Sequence, residues 1–546
     1  MGRFGTPSAC HRAVLGAAFS AALVTTAAAQ SGGNVDWQSY NRTLTSERYV
    51  PLDQINTKNV AQLKPICTYD LGYQSEFETG PLIVGDTLYG TSEMDIFAID
   101  ANTCQEKWRT HEDIPVRAPH FMVNRGAAFF DGKLFRGTQD GRVFAYDASN
   151  GKRLWEQKIV NLQGETVPAA PIAWNGLVFI GNAGGDLKGG KGRIYALDAH
   201  TGKIVWETYL VPASPDAPDV KAAAATNKVT LPTWSNESAD VPISGGATWT
   251  SYTLDAQKGL LYVPGGNPAP DYAKGVRPGA NLLAGSVVVL DAKSGALKRY
   301  FSLVPEDFHD WDVSAAPALV TTKKGVHLLA DAGKNGLLYG IDLDNGKRLY
   351  QTAITTRSNT TAPLTKEGTR FCPGSGGGTE WNGPAYDPDN NLIFDGTVDR
   401  CTLVKLAPDS KVERVAVGRP WTGDDDDANP FGLGDDHWAG WLNATDADTG
   451  KIKWRFKAPG PVLSGITPTK GGLVFAGDMN GNAYAFNANT GKLLWQHKFD
   501  GGVGGGLVSY AAGGKQRVAV ISGTITQVFA LEAPKGNAKI TIFGLN

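Results

Sequence analysis

Ala145-Tyr-Asp-Ala-Ser-Asn-Gly-Lys-Arg-Leu-Trp155 returns about fifty residues later as Ala196-Leu-Asp-Ala-His-Thr-Gly-Lys-Ile-Val-Trp206. Further copies with substitutions end at Trp454 and Trp495, and weaker ones at Trp108, Arg299 and Tyr350. Self-similarity at a period of roughly 40 to 50 residues marks supersecondary units that bury their faces only by stacking, and β-rich units of that size are propeller blades. Each copy reads as an alternating apolar strand, a tight Asp-x-x-x-Gly turn in which Gly151, Gly202, Gly450 or Gly491 can take positive φ, and a strand ending in Trp. In the weak copy at Trp108, Cys104 stands where the turn glycine belongs.

Seven such turns are visible. The gap between Tyr350 and Trp454 is about twice the spacing, so it is expected to hide one degenerate copy, for eight blades in all. The fold class is therefore all-β, an eight-bladed propeller with tryptophans docking between blades. Composition agrees: 67 Gly, 14 Trp and only 4 Met, and no stretch with sustained helical apolar spacing. A closed ring of repeats is one cooperative unit, which overrides the prior that a chain of this length holds several domains. The net charge of −2 gives no electrostatic case for nucleic acid or an anionic membrane surface.

Residues 1–29 read as a secretory signal: Arg3 and Arg12 flank a polar start, Ala13 to Val24 is apolar, and Ala27-Ala28-Ala29 offers the small residues a signal peptidase requires. The mature domain is then 30–546. No later run approaches the roughly 20 apolar residues of a spanning helix, so a soluble, exported chain is expected. Removing Cys10 with the signal leaves Cys67, Cys104, Cys372 and Cys401, an even set suited to disulfides in an oxidising compartment. Cys67 with Cys104 and Cys372 with Cys401 is the simplest of three pairings; a metal site is the competing reading, without Cys-x-x-Cys or a neighbouring His to support it. The absence of Cys-x-x-Cys-His excludes covalently attached c-type haem, so any electron-transfer partner is separate.

Chemistry has to come from residues that break the repeat. Three places do so: Gly184-Gly-Asp186; Gly245-Gly-Ala-Thr-Trp249 followed by Gly265-Gly-Asn267-Pro-Ala-Pro270; and His309-Asp-Trp-Asp312. Two Asp and an Asn amide oxygen are hard donors of the kind Ca²⁺ takes, and an indole offers a flat face to a planar ligand. Each piece alone has an ordinary explanation as turn or core. Their order and spacing are what point to a site.

On these residues, together with Val123-Asn-Arg-Gly126, Asp331-Ala-Gly-Lys-Asn-Gly336 and the spacing of Cys372 to Cys401, the chain resembles the quinoprotein alcohol dehydrogenases over nearly its whole mature length. This is the eight-bladed family that binds pyrroloquinoline quinone (PQQ) and Ca²⁺ and includes the large subunit of methanol dehydrogenase. The resemblance implies that Trp249 stacks under the quinone, that Asp186, Asn267 and Asp312 hold the calcium, and that Asp312 is the catalytic base. Asp186 stands where the family usually has a Glu, a longer reach. Arg125, Lys334, Glu78 and Asn382 are implied as further quinone contacts. Ca²⁺ would polarise the quinone, hydride would pass to it from a primary or secondary alcohol, and electrons would leave to a separate soluble cytochrome c in the periplasm.

The chain also departs from the family. Pro119-His120-Phe121 replaces the adjacent cysteines that cover the quinone in many members, and His120 or Phe121 is a candidate cap. Ala247 stands where Thr is common, and Glu380 precedes Trp381-Asn382 where Asn is common. Ser314 occupies the place of the extra Asp of the lanthanide-using branch, which favours calcium. The stretch from Pro212 to Pro242 and the acidic loop Asp424-Asp-Asp-Asp427 with Asp435-Asp-His437-Trp438 are insertions; Phe121, Trp381 and Trp438 suit an apolar pocket. The competing readings are a non-catalytic propeller that binds protein partners, and a quinoprotein acting on a sugar, polyol or polymeric alcohol.

Overall fold

Strand four of each of the first seven repeat units carries a side chain, aromatic in six of the seven, that donates to a carbonyl of the next unit, and an eighth joint made from the first strand of the last unit closes the ring. The computed structural model describes residues 1–2, 35–115, 123–160, 162–213, 220–235, 238, 240–426, 438–524 and 534–545. The signal segment beyond residue 2, His120, Phe121, Asp427 and Asp435 to His437 lie outside the described residues.

The eight blades are antiparallel four-stranded sheets. Blades 1 to 7 begin at the strands Leu82–Val84, Ala128–Phe130, Ile172–Trp174, Thr253–Asp255, Ala318–Thr321, Ala385–Asp387 and Thr467–Thr469. Blade 8 is built differently: Leu507–Ala512, Lys515–Ser522 and Lys539–Gly544 take Lys64–Asp70 from the other end of the chain as outermost strand. All blades fall in the compact unit 34–546.

This corrects the expected blade order. Seven turns mark seven blades, and the eighth has no turn of its own because it is the seam where the two ends of the ring meet. The stretch between Tyr350 and Trp454 holds no extra blade among the described residues. It is lengthened by a two-stranded ribbon, Thr369–Phe371 with Thr402–Val404, and a short helix, Asp409–Arg414. The helix Val220–Thr230 is a second departure. Its buried face is Ala223, Thr226 and Thr230, a helical spacing of small residues, and Ala-rich Lys221 to Ala225 has high helix propensity without a large-apolar stripe to betray it.

The joints repeat one geometry. Nε1 of Trp108, Trp155, Trp206 and Trp454 donates to the carbonyls of Ala148, Ala199, Ala292 and Ala488 in the following turn, at 3.0–3.1 Å. Where the tryptophan is replaced, the bond survives: Arg299 donates to Leu343 O (3.0 Å) and Tyr350 to Ala447 O (3.1 Å). Trp495 donates to Leu63 O beside the seam strand, and Tyr510 of blade 8 to Ala101 O of blade 1. The turn glycine has two reasons to be glycine. At Gly295, φ is +70°, and a methyl group there would lie 2.7 Å from Cε3 of Trp206, so backbone conformation and close ring approach both exclude a side chain.

Cys104 takes the same left-handed conformation (φ +60°) without being glycine. Its sulfur is bonded to Cys67 on the seam strand, and Cys372 is bonded to Cys401 beside the inserted ribbon. Both are the pairings expected as simplest. The first cross-links blade 1 to blade 8 and closes a loop of 37 residues, worth roughly 4 kcal/mol in the chain-entropy view.

Candidate active site

An antiparallel four-stranded blade places the segment leading into strand one and the link between strands two and three at the same end, with the Asp-x-x-x-Gly turns at the other. Glu78, Arg125, Trp249, Asp312 and Asn382 precede first strands, whereas Asp186, Asn267 and Lys334 lie in links between second and third strands. All eight residues singled out in the sequence are thereby brought to one mouth of the ring.

Asp312 is held from two sides. Its Oδ1 accepts the backbone N–H of Asn267 (2.8 Å) and its Oδ2 lies 2.7 Å from Nζ of Lys334. A methyl group on Gly266 would come within 2.7 Å of the same Oδ1, so glycine at that position is what admits the carboxylate. Lys334 also lies 3.6 Å from Oδ1 of Asp310. Burial works against its charge, but Asp310 and Asp312 outweigh that and raise its pKa well above the ordinary lysine value, so it remains a cation.

Around Trp249 the partners are cationic. The Arg125 guanidinium lies 4.8 Å from the indole centroid and Nζ of Lys334 5.5 Å. Arg125 also donates to Trp249 O (3.1 Å), pairs with Oε2 of Glu78 (2.8 Å), and lies 4.9 Å from the Trp381 ring. Trp249 is half-buried against Tyr40, Trp381, Trp438, Leu463 and Met479, which assembles two of the aromatics read as an apolar pocket. Asn382 is buried, its Nδ2 donating to Val462 O at 3.0 Å.

The carboxylates that converge closest are Asp186, Asp271 and Asp310, which offer ligand atoms within 4.8 Å of one another. Asn267 joins them through Nδ2, which donates to Oδ1 of Asp271 at 2.9 Å. Asp271 and Asp310 were not among the residues picked from sequence. Both adjoin motifs that were: Asp271 follows Pro270 directly, and Asp310 sits inside His309-Asp-Trp-Asp312. Burial, then repulsion from Asp312, pushes Asp186 up to about 6; burial raises Asp271 and Asp310 well above the carboxylate range. Burial likewise raises Glu78 to about 7, against the pull of Arg125, and Glu380 to about 8, against Lys334. Ser314 donates its hydroxyl to Thr379 O at 2.5 Å, so it is engaged with backbone.

The mouth also collects buried polar atoms without a hydrogen-bond partner: Nε of Arg125, Oδ1 of Asn382, Oδ2 of Asp271 and Oδ1 of Asp310. Leaving such atoms unsatisfied costs about 1–3 kcal/mol each in a folded protein. A planar polyanion with carbonyls on its edge, together with a hard cation, would complete them: donors and an indole face for the one, carboxylates for the other.

The family profile described as glucose/ethanol/alcohol dehydrogenase, beta-propeller domain, which bears the name PQQ, matches residues 37–361. A second, described as outer membrane protein assembly factor BamB, matches 439–539, a stretch dominated by blade repeats. The dehydrogenase subunit of alcohol dehydrogenase (quinone) from Gluconobacter oxydans is 31% identical over 89% of this chain and 70% of its own length. Among solved structures, the quinohemoprotein alcohol dehydrogenase from Comamonas testosteroni superposes with a TM-score of 0.82 at 26% identity, covering 94% of this chain and 80% of its own. A europium-containing methanol dehydrogenase gives 0.79 at 26% identity over 93% of this chain and 98% of its own.

Proposed function

The chain belongs to the PQQ-dependent quinoprotein alcohol dehydrogenases, and from that premise we propose that it is a periplasmic enzyme that takes two electrons from a primary or secondary alcohol, with PQQ and Ca²⁺ bound at the mouth of the ring and Asp312 as base. The observation that carries the reading is the Asp312 carboxylate, buried, oriented by the Asn267 N–H and paired with Lys334 beside the Trp249 ring. When bound, PQQ supplies the hydride acceptor and Ca²⁺ the Lewis acid that polarises it.

The chain's own residues do the rest. Glu78, Arg125, Trp249, Lys334 and Asn382 would hold the quinone, and Asp186, Asn267 and Asp312 the cation. Two N–H donors fix the plane of the Asp312 carboxylate, so an alcohol hydroxyl arriving at Oδ2 meets an acceptor whose orientation is already set. Lys334, remaining cationic, pairs with the Asp312 carboxylate while it carries its negative charge, before the proton arrives. Trp381, Trp438 and Met479 line the side of the mouth that favours the carbon chain of a simple alcohol and shields the transfer from water. Electrons pass to a separate cytochrome c or similar carrier.

Purified protein reconstituted with PQQ and Ca²⁺ should reduce an artificial dye in the presence of an alcohol, and Asp312→Asn should lower that rate by about 10³-fold with the cofactor still bound. A chain that binds no PQQ and shows no alcohol-dependent turnover would be a protein-binding scaffold instead.

A further inference from the structure

Asp271 and Asp310 fit no step of that function. Asp271 is completely buried and Asp310 5% exposed, yet Oδ2 of the first and Oδ1 of the second accept no hydrogen bond. Two carboxylates in that condition, converging with Asp186, are mutually repulsive in a poorly polarisable surrounding. Lys334 is the cation at hand, and it is already 2.7 Å from Asp312 and 3.6 Å from Asp310. The buried Arg277 also bears on Asp271 through its charge, but its donors go to Asn281 and to the carbonyls of Pro270, Asp271 and Asp307, and two cations do not balance four carboxylates.

Another buried orphan carboxylate shows that burial alone does not create such a cluster. Asp331 is fully buried with an unpartnered Oδ2, but it bonds its own strand through the Ala332 N–H at 2.9 Å and is not among the converging acids. Asp271 and Asp310 differ in each offering a carboxylate oxygen within 4.8 Å of a third carboxylate, Asp186, a separation one hard cation can span.

We propose that Asp271 and Asp310 are ligands of the bound cation, so that this chain holds it with Asp186, Asp271 and Asp310 in addition to Asn267 and Asp312. The inference rests on the functional reading for the location of the cation. Its chemistry follows from the ligand types: oxygen donors only, high negative charge, and a number of donors suited to Ca²⁺, with soft metals disfavoured.

The test is calorimetric titration of Ca²⁺ into the chelator-stripped full chain, with and without PQQ present, for the natural sequence and for Asp271→Asn, Asp310→Asn and Asp331→Asn. Loss of a ligating carboxylate should weaken Ca²⁺ by about tenfold or more in each of the first two variants, while Asp331→Asn binds like the natural chain. Circular dichroism and melting of the stripped variants verify that they fold. Affinities within twofold of the natural chain for both Asp271→Asn and Asp310→Asn, or equal losses in Asp331→Asn, would overturn the ligand assignment. That outcome with alcohol oxidation intact leaves the functional reading standing; Ca²⁺ loss in the two variants with no alcohol oxidation by the natural chain would sink the functional reading and keep the ligands.

Discussion

The joints between blades and the mouth of the ring both bury polar groups, and they treat them in opposite ways. At each of the eight joints the buried donor finds a carbonyl: Trp206 Nε1 meets Ala292 O, and next to it the Thr208 hydroxyl donates to Gly295 O at 2.8 Å. At the mouth, carboxylate, amide and guanidinium atoms are buried and left over. A fold minimises its free energy by satisfying what it buries, so a concentration of unsatisfied groups marks where structure has been subordinated to binding. The same contrast separates what substitutions should do in the two regions.

The largest effect is expected at a joint. Trp206→Ala removes a buried ring and a hydrogen bond together and should lower stability by about 4 kcal/mol, read from denaturant unfolding. Second, Gly295→Ala at the same joint should cost about 2 kcal/mol, part from the left-handed backbone and part from collision with the Trp206 ring; an unchanged midpoint would mean the turn is free to move away from the ring. Third, the mouth should respond with the opposite sign. Asp271→Asn removes one of several crowded negative charges, and the metal-free chain is expected to gain about 1 kcal/mol at neutral pH, so a loss there would erase the distinction between the two regions.

The fourth expectation is one of pH. Glu78 and Glu380 are raised by burial to about 7 and about 8, whereas in the unfolded chain they titrate near 4.3. The folded state therefore holds more protons between those values, and the stability this confers is present below about pH 4.3 and lost as pH rises through 7 to 8. Melting of the metal-free chain should fall over that window, and Glu380→Gln should flatten the slope.

Much of this was legible in the sequence because the joints demand a fixed pattern. Asp-x-x-x-Gly followed by an aromatic residue is dictated by a turn with positive φ and a ring beneath it, so it recurs in seven places, with Cys104, Asn487 and Arg299 as its single replacements, and gives away the architecture. The eighth blade escaped because a seam made from residues 64–70 and 507–544 needs no such turn; Tyr510 supplies its joint from a different strand. Trp249, Asn267, Asp312, Lys334, Arg125 and Glu78 were readable from motifs that interrupt the pattern, and the geometry links each to the next: Asn267 N–H to Asp312, Asp312 to Lys334, Lys334 and Arg125 to the Trp249 ring, and Arg125 to Glu78. Asp271 and Asp310 were in plain view and unassigned, since a carboxylate next to a turn is usually solvated, and only the packing reveals that these two are not. The helix Val220–Thr230 was missed because alanine and threonine bury a face without any large apolar residue to announce it.

The seam carries one more consequence. Its outermost strand, 64–70, is made early and its three partners are among the last strands synthesised, so during biogenesis an almost complete protein must wait as an open arc with two unpaired edges. Edges of that kind are templates for aberrant pairing. The bond between Cys67 and Cys104 fastens strand 64–70 to blade 1, so in the closed ring blade 8 is tied to blade 1 covalently as well as by hydrogen bonds.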